Sequence, residues 1–402
     1  MLNKLALCIM LLTATAFSQT FSVLYTFTDR PNGGNPFGGV VLDGAGNLYG
    51  TTDFGGANPC NVYGCGTVFK LDPSGKETVL FNFDGGTSGA GPTGNLIPDS
   101  QGNLYGMTGV GGQTCREGHG CGTVFKVDRA GHYTVLYTFA GGSDGARPYY
   151  TNLVRDPSGN FYGTTWEGGG TGCVGSGCGT VFKIDSAGNE TIVHSFRTGV
   201  DGSAPFAGLI RDGAGNLYGT TSEGGVAFGF GTVFKIDAQN NYTVLYRFSG
   251  QADGSGPLGS VVRDSSGNLY GTTSFGGDLT CQPPSGCGVV FKLDTSGVET
   301  VLHAFHDSDG RAPNGNLIRD PSGNLYGVTQ FGGQLGFGTV FKIDGSGNAT
   351  VLHDFGNQTD GSYPHAGLVR DAAGNLYGTA SYAGGGRCYL GEGCGVVFKI
   401  AP

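Results

Sequence analysis

Gly215-Asn216-Leu217-Tyr218-Gly219 is one of seven copies of a single phrase. The copies end at Gly50, Gly106, Gly163, Gly219, Gly271, Gly327 and Gly378, 51 to 57 residues apart, and one carries Phe161 in place of the Leu. A fixed period of this length marks a repeat architecture. In the cleanest unit four strand-like segments follow one another: A at Gly208 to Asp212, B at Asn216 to Thr221, C at Gly231 to Asp237 and D at Thr243 to Phe248. All four are rich in β-branched and aromatic residues and are bounded by Gly and Asp. Seven such units predict an all-β chain, a seven-bladed β-propeller of four-stranded antiparallel blades.

The connections alternate. A joins B through Asp-x-x-Gly-Asn, as in Asp212 to Asn216, and C joins D through short turns such as Asp72 to Lys76. Asp bonds the backbone two residues on and Gly supplies the positive φ. The B–C and D–A connections are longer and vary between copies. Because strands alternate in direction, the tight turns share one face and the long loops the other. Ser22 to Phe27 is a lone D segment, and the last unit stops after its C segment at Ile400. The N-terminal strand is therefore expected to complete the last blade and close the ring, which limits exposed edges.

Composition agrees with many short strands: Gly is 81 of 402 residues and charged residues are 13%. A net charge of −9 argues against nucleic acid as a partner, which would require a basic stripe. Residues 1–18 read as a secretory leader: Lys4, the apolar run Leu5 to Leu12, then Ala16-Phe17-Ser18 as a cleavage site. Residues 19–402 are then one propeller domain. The apolar run is too short to span a bilayer and no second one follows, so no membrane span is expected.

Ten Cys outside the leader fall into five close pairs, Cys60/Cys65, Cys115/Cys121, Cys173/Cys178, Cys281/Cys287 and Cys388/Cys394. In an exported chain they read as disulfides. Blades four and six lack the pair, have shorter loops, and carry Phe230 and Phe337 where the second Cys stands elsewhere. A disulfide is thus expected to staple each longer loop and Phe to plug each short one.

The order Pro-x-x-Gly-Leu-Ile-x-Asp-x-x-Gly-Asn-Leu-Tyr-Gly, then Gly-Thr-Val-Phe-Lys-Ile-Asp, resembles the GloVer-type tandem repeat of the choice-of-anchor exported proteins. It is similar, more weakly, to the NHL and gluconolactonase-like propeller repeats. The first resemblance implies an extracytoplasmic bacterial protein with no established activity. Such proteins often end in a sorting anchor; here the sequence ends at Pro402 directly after its last strand, so free secretion or periplasmic residence is expected. The second implies that segment A lines the central channel.

On that basis the D–A loop is the candidate binding rim. It carries Asp-Gly-x-x-Pro before segment A, with Asp144, Asp201, Asp253, Asp309 and Asp360 in five copies and Asn32 and Ser88 in the other two. Five carboxylates around a channel mouth would attract a divalent cation or a hydroxyl-rich ligand. The plainer reading is that Asp-Gly forms a turn which Pro stiffens. The seven Asp of the tight turns, and the recurring Tyr, Arg and Lys of segments A to C, read as structural. Residues that break the repeat near the long loops are the remaining candidates: Arg147, Tyr149, Tyr150, the single Trp166, Glu167, Arg311 and His365.

No nucleophile elbow, zinc signature or phosphate loop is present, and the catalytic residues are unknown. The leading expectation is a non-catalytic module, a monomer, binding a glycan or a surface protein through its long-loop face. The alternatives are a metal-dependent lactonase- or lyase-like hydrolase with a cation at the channel mouth, and a purely structural cell-surface module.

Overall fold

The computed structural model describes residues 19–402 except 59, 61–63, 113–114, 116–119, 171, 174–175, 198, 226–228, 357, 386–387 and 389–392. The expected leader lies outside the described residues. Seven antiparallel sheets form, each running A–B–C–D. In the unit quoted above the strands are Ile210–Arg211, Leu217–Thr221, Thr232–Ile236 and Tyr242–Arg247, so the A segment pairs over only two residues. Blade six has an additional short strand, Arg311–Pro313, against a longer B strand, Leu325–Phe331. Elsewhere that contact is a single bridge, such as Ser203 with Glu223.

The ring closes as the sequence phase implies. Thr20–Thr26 lies antiparallel to Val396–Ala401, with Thr20 opposite Ala401 and Thr26 opposite Val396. The first strand thereby becomes the outermost strand of the last blade.

The buried apolar residues form seven clusters, each between two neighbouring blades. One contact recurs in all of them. The Phe that ends segment D meets the segment C Phe of the next blade edge to face, with ring centroids 5.0 to 5.4 Å apart: Phe27–Phe69, Phe83–Phe125, Phe139–Phe182, Phe196–Phe234, Phe248–Phe291, Phe305–Phe341 and Phe355–Phe398. Such pairs add about 0.5–1.5 kcal/mol beyond their area burial. The segment C ring lies across the last Gly of the diagnostic phrase. Gly219 stands opposite Phe234, and a Cβ placed on it would sit 2.6 Å from Phe234 Cζ. The signature glycine leaves room for a ring.

The rest of the phrase fastens the tight turn. Asp212 accepts bonds of 2.8 to 3.1 Å from the amides of Ala214 and Asn216, the Asn216 side chain and the Tyr218 hydroxyl. Partial burial alone would raise its pKa, but these four donors outweigh it and hold the carboxyl below its usual value. In several blades the Arg preceding the turn reaches back to the previous blade. Arg263 lies 5.8 Å over the Tyr218 ring and Arg319 5.7 Å over Tyr270.

All five expected disulfides form: Cys60–Cys65, Cys115–Cys121, Cys173–Cys178, Cys281–Cys287 and Cys388–Cys394, with Cα atoms 4.9 to 5.6 Å apart. Such bonds belong to an oxidising, extracytoplasmic compartment. They staple the longer loops as expected, and they do so at depth. The second Cys of each pair lies in the core: Cys65 is 1% exposed, and Cys121, Cys287 and Cys394 are 0% exposed. Cys178 is buried with them. The reason is position. Each stands one residue before the Gly that opens segment C, the strand sandwiched between blades, so it joins the inter-blade cluster. Cys65 packs with Val68 and Phe83, Cys121 with Val124 and Phe139, Cys287 with Val290 and Phe305, and Cys394 with Phe27 and Val397. The first Cys of a pair stays nearer the surface, as Cys60 and Cys115 do. The bond thus pins a loop to the core rather than one part of a loop to another. The Phe of a short loop covers the equivalent place from outside. Cys60 Sγ packs on Gly85 in one blade, and the Phe230 ring packs on Gly250 in another while remaining 42% exposed.

Two outcomes follow from closure and stapling. Deleting Phe21 to Phe27 should abolish the cooperative thermal transition seen by calorimetry; a deletion variant melting like the parent would contradict closure by this strand. Each disulfide closes a separation of only 5 or 6 residues, so each should add roughly 2 kcal/mol at most. Reduction at room temperature should therefore lower the Tm yet leave the far-UV spectrum of a folded propeller.

Candidate functional site

The long-loop mouth is built by one bend repeated in every unit. The residue before each D–A proline has φ between 52° and 63°: Asn35, Gly91, Arg147, Ala204, Gly256, Ala312 and Tyr363. Five of the seven are not glycine, and that conformation is costly for a side chain. It is held from the preceding blade, by the buried cysteines. The amides of Asn35, Gly91, Arg147, Ala204 and Ala312 donate at 2.8 to 3.2 Å to the carbonyls of Cys394, Cys65, Cys121, Cys178 and Cys287. Where no Cys is present, Gly256 and Tyr363 donate to Phe230 and Phe337. The loop of one blade thus aims the entry into the next. The chain then turns through Pro and delivers one side chain to the axis.

Those side chains are Phe37, Thr93, Tyr150, Leu258, Asn314 and His365, and they line the channel mouth. Just below them the innermost strands clasp one another: the amide of Gly39 bonds Asn95 Oδ1 at 2.6 Å, that of Asn95 bonds Asn152 Oδ1 at 2.8 Å, and that of Ser260 bonds Asn316 Oδ1 at 2.7 Å. The space between them is about 30 Å³, room for a water or two. The mouth lies above it.

Aromatic rings cross this mouth in a continuous crescent. Trp166 stacks on Phe206 at 5.1 Å, Phe206 neighbours Tyr150 at 6.4 Å, and Tyr150 meets Phe37 at 6.1 Å. Phe37 touches His365 at 4.9 Å and Tyr382 at 5.9 Å, and Tyr382 continues to Tyr363 and Phe331. His365 lies 3.2 Å from the Gln330 amide and 3.4 Å from that of Asn314. Burial pushes its pKa down to about 4, so it is a neutral imidazole at physiological pH. Beside Trp166 a cleft of about 330 Å³ opens over the Cys173–Cys178 disulfide, lined by Glu167, Ser203 and Glu223.

Of the residues expected at the site, Tyr149, Tyr150, Trp166 and His365 gather at the mouth. Arg147 and Glu167 form an ion pair at 3.3 Å beside them. Arg311 lies over Phe331 at 5.2 Å, at the far end of the crescent. The five aspartates do not encircle the channel. Each is bound to the outermost strand of its own blade: Asp144 to Tyr137 at 2.8 Å, Asp201 to His194 at 3.3 Å, Asp253 to Tyr246 at 3.0 Å, Asp309 to His303 at 2.9 Å and Asp360 to His353 at 3.2 Å. The loop starts at the outer rim and reaches the axis only after the proline, so its first residue stays outside. The two exceptions fit the same rule. Tyr25 pairs with Asn32 at 2.8 Å, and Phe81, which cannot donate, goes with Ser88.

Sequence reasoning missed Asp53, which follows segment B of blade one. It is surrounded by protein on most sides and retains some contact with solvent. Burial raises its pKa to about 7, and no donor opposes that shift. Its charge acts on both Tyr149 and Tyr150, which blade three sends across blade two. The Tyr149 ring covers Gly109, where an added Cβ would lie 2.0 Å from a ring carbon. A signal for Asp53 was available. The position after segment B reads Asp53, Gly109, Trp166, Ser222, Ser274, Gln330 and Ser381, and it varies although the residue before it is Thr in six of the seven copies.

The chain belongs to the Gloeobacter/Verrucomicrobia repeat family, whose repeat matches residues 10–175 and 171–398. Solved structures similar to it include the extracellular domain assigned to a hybrid two component system of B. thetaiotaomicron. That match has 12% identity and a TM-score of 0.56, and covers 94% of this chain and 39% of the other. A second, assigned to a one component system of the same organism, has 10% identity and a TM-score of 0.54, covering 94% and 40%. This chain therefore spans about two fifths of those structures, and at such identities the likeness is one of fold. A gluconolactonase of Xanthomonas campestris is more weakly similar, with 13% identity and a TM-score of 0.38 over 69% of this chain and 78% of that one. No curated protein sequence matches the chain.

Asp53 carries a stability signature with a definite sign. Its folded pKa of about 7 exceeds the unfolded 3.8, so the folded state holds the proton more tightly and stability falls as pH rises between those values. Asp53→Asn should raise the Tm at pH 8, and the gain should shrink steadily toward pH 4. An equal Tm for both proteins at pH 8 would contradict a carboxyl whose burial no donor offsets.

Proposed function

We propose that the protein is an exported, non-catalytic binding module that holds a polar, ring-bearing ligand such as a glycan in its long-loop mouth. One observation carries the reading. The repeat is nearly invariant where it packs and diverse at the positions that face the mouth, and the diverse positions bring Phe37, Tyr150, Trp166 and Phe206 together with Asn314, Gln330 and His365. Apolar faces for stacking next to a few fixed polar groups are the usual makeup of a ligand site. Tyr150 is 45% exposed despite its size, so one large aromatic surface stands open in the mouth.

A hydrolase with a mouth-bound cation finds less support. The aspartates suited to that role are bound to outer strands, and among the described residues no three His, Cys, Asp or Glu side chains come together in a way that could hold a metal. Also among the described residues, no helix is long and apolar enough to cross a membrane. Release into the medium or periplasm is the reading that the leader and the disulfides support.

Trp166 is the single tryptophan, so its emission reports on the mouth. Titration with a panel of bacterial and plant oligosaccharides should find a ligand that shifts this emission. Tyr150→Ala should weaken that ligand tenfold or more without changing the Tm by more than a few degrees. A ligand bound equally well by Tyr150→Ala and Phe37→Ala would place recognition elsewhere.

A further inference from the structure

We propose that the axis of the ring, just below the mouth, holds one halide-sized monovalent anion in a cage of backbone and asparagine N–H groups. Chloride is the common ion of that size. The site lies apart from the glycan reading of the mouth and does not rest on it.

Each blade passes the axis through one peptide whose carbonyl turns back to the preceding blade. The carbonyls of Gly38, Gly94, Ala207 and Gly259 accept from the segment B hydroxyls of Thr379, Thr51, Thr164 and Thr220 at 3.0 to 3.4 Å. Those of Thr151, Gly315 and Ala366 lie within 2.7 Å of a Cβ placed on Gly94, Gly259 and Gly315. A trans peptide sets its N–H opposite its carbonyl, so the amide that follows points forward, to the next blade. In three blades an Asn meets it there. The amides of Gly39, Asn95 and Ser260 donate to Oδ1 of Asn95, Asn152 and Asn316.

The amides of Asn152, Gly208, Asn316 and Gly367 have no acceptor among the described residues. The sequence gives the reason. The residues in line to meet Asn152, Asn316 and Gly367 are Gly208, Gly367 and Gly39, which have no side chain. The residue in line to meet Gly208 is Ser260, and its hydroxyl donates to the Gly208 carbonyl at 2.8 Å instead. The asparagines add to the surplus of donors. Only Oδ1 can accept an amide proton, so Asn95, Asn152 and Asn316 each turn Nδ2 away from that bond.

Buried N–H groups are rarely left unmet, and several converging on one space form an anion site. Asn152, Asn316 and Gly367 line the space of about 30 Å³ on the axis, and no acidic residue lines it. A water there would have to place its own two protons among donors. A cation would face N–H groups throughout. The size suits a halide and excludes sulfate or a carboxylate-bearing ligand. The turn and D–A aspartates, which carry much of the chain's negative charge, are held on the tight turns and the outer strands.

The test uses the full chain in chloride, in bromide and in gluconate at one ionic strength. Chloride and bromide should raise the Tm by a few degrees, saturating with concentration, and gluconate should not. Crystals grown in bromide should show an anomalous peak on the axis between Asn152, Asn316 and Gly367. Asn316→Asp keeps an acceptor for the Ser260 amide but replaces a donor with a negative charge. It should lose both the axial peak and the saturating rise. Should this variant not fold, the bromide crystal of the parent decides alone. The proposal is overturned if that crystal shows only water on the axis, with bromide confined to the surface, or if Asn316→Asp keeps the halide-dependent rise.

Discussion

A phenylalanine ring laid across a glycine is the contact on which the propeller depends. Phe234 covers Gly219 within its own blade and receives the edge of Phe196 from the blade before it. The same three residues recur around the ring, so every blade is both socket and plug. A side chain on the glycine would push the ring out, and the neighbouring Phe would lose its face. This is why Gly-Asn-Leu-Tyr-Gly tolerates so little change, and why the N-terminal strand must supply Phe27 to the socket of Phe69.

Uniform packing leaves variation to the loops, and the loops are aimed from the core. Seven residues adopt a left-handed bend before proline, and each is tied by its amide to the B–C loop of the previous blade, at a buried Cys in five of them. The strain this stores is offset by the rigid ring beneath. Its effect is to bring one freely chosen side chain from nearly every blade to the axis. The mouth is the place where a repetitive chain can be specific.

Much of the fold was legible because period and phase are properties of sequence. Seven units, the strand-swapped closure, the Cys pairs and the capped tight turns all follow from local spacing. The depth of Cys65, Cys121, Cys287 and Cys394 does not, because it is set by the neighbouring blade that covers them. The placement of the D–A aspartates was also hidden, because it depends on how far a loop travels before its proline. The clue lay in paired changes: a Tyr or His six or seven residues upstream goes with Asp, Tyr25 with Asn32, and Phe81 with Ser88. Trp166, Tyr149, Tyr150 and His365 stood out because they break the repeat. Phe37 and Phe206 did not, since their place at the mouth depends on which loops converge there.

The most direct test compares two glycines of one blade. Gly213 sits in an open tight turn with nothing within 4 Å of an added Cβ, whereas a Cβ on Gly219 would meet Phe234 at 2.6 Å and Leu209 at 2.9 Å. Thermal unfolding of Gly213→Ala and Gly219→Ala, each in the full chain, measures the contact. The account predicts that Gly213→Ala melts with the parent while Gly219→Ala loses roughly 1–3 kcal/mol, the usual cost of overpacking, and melts several degrees lower. Two variants melting together at the parent's temperature would contradict it.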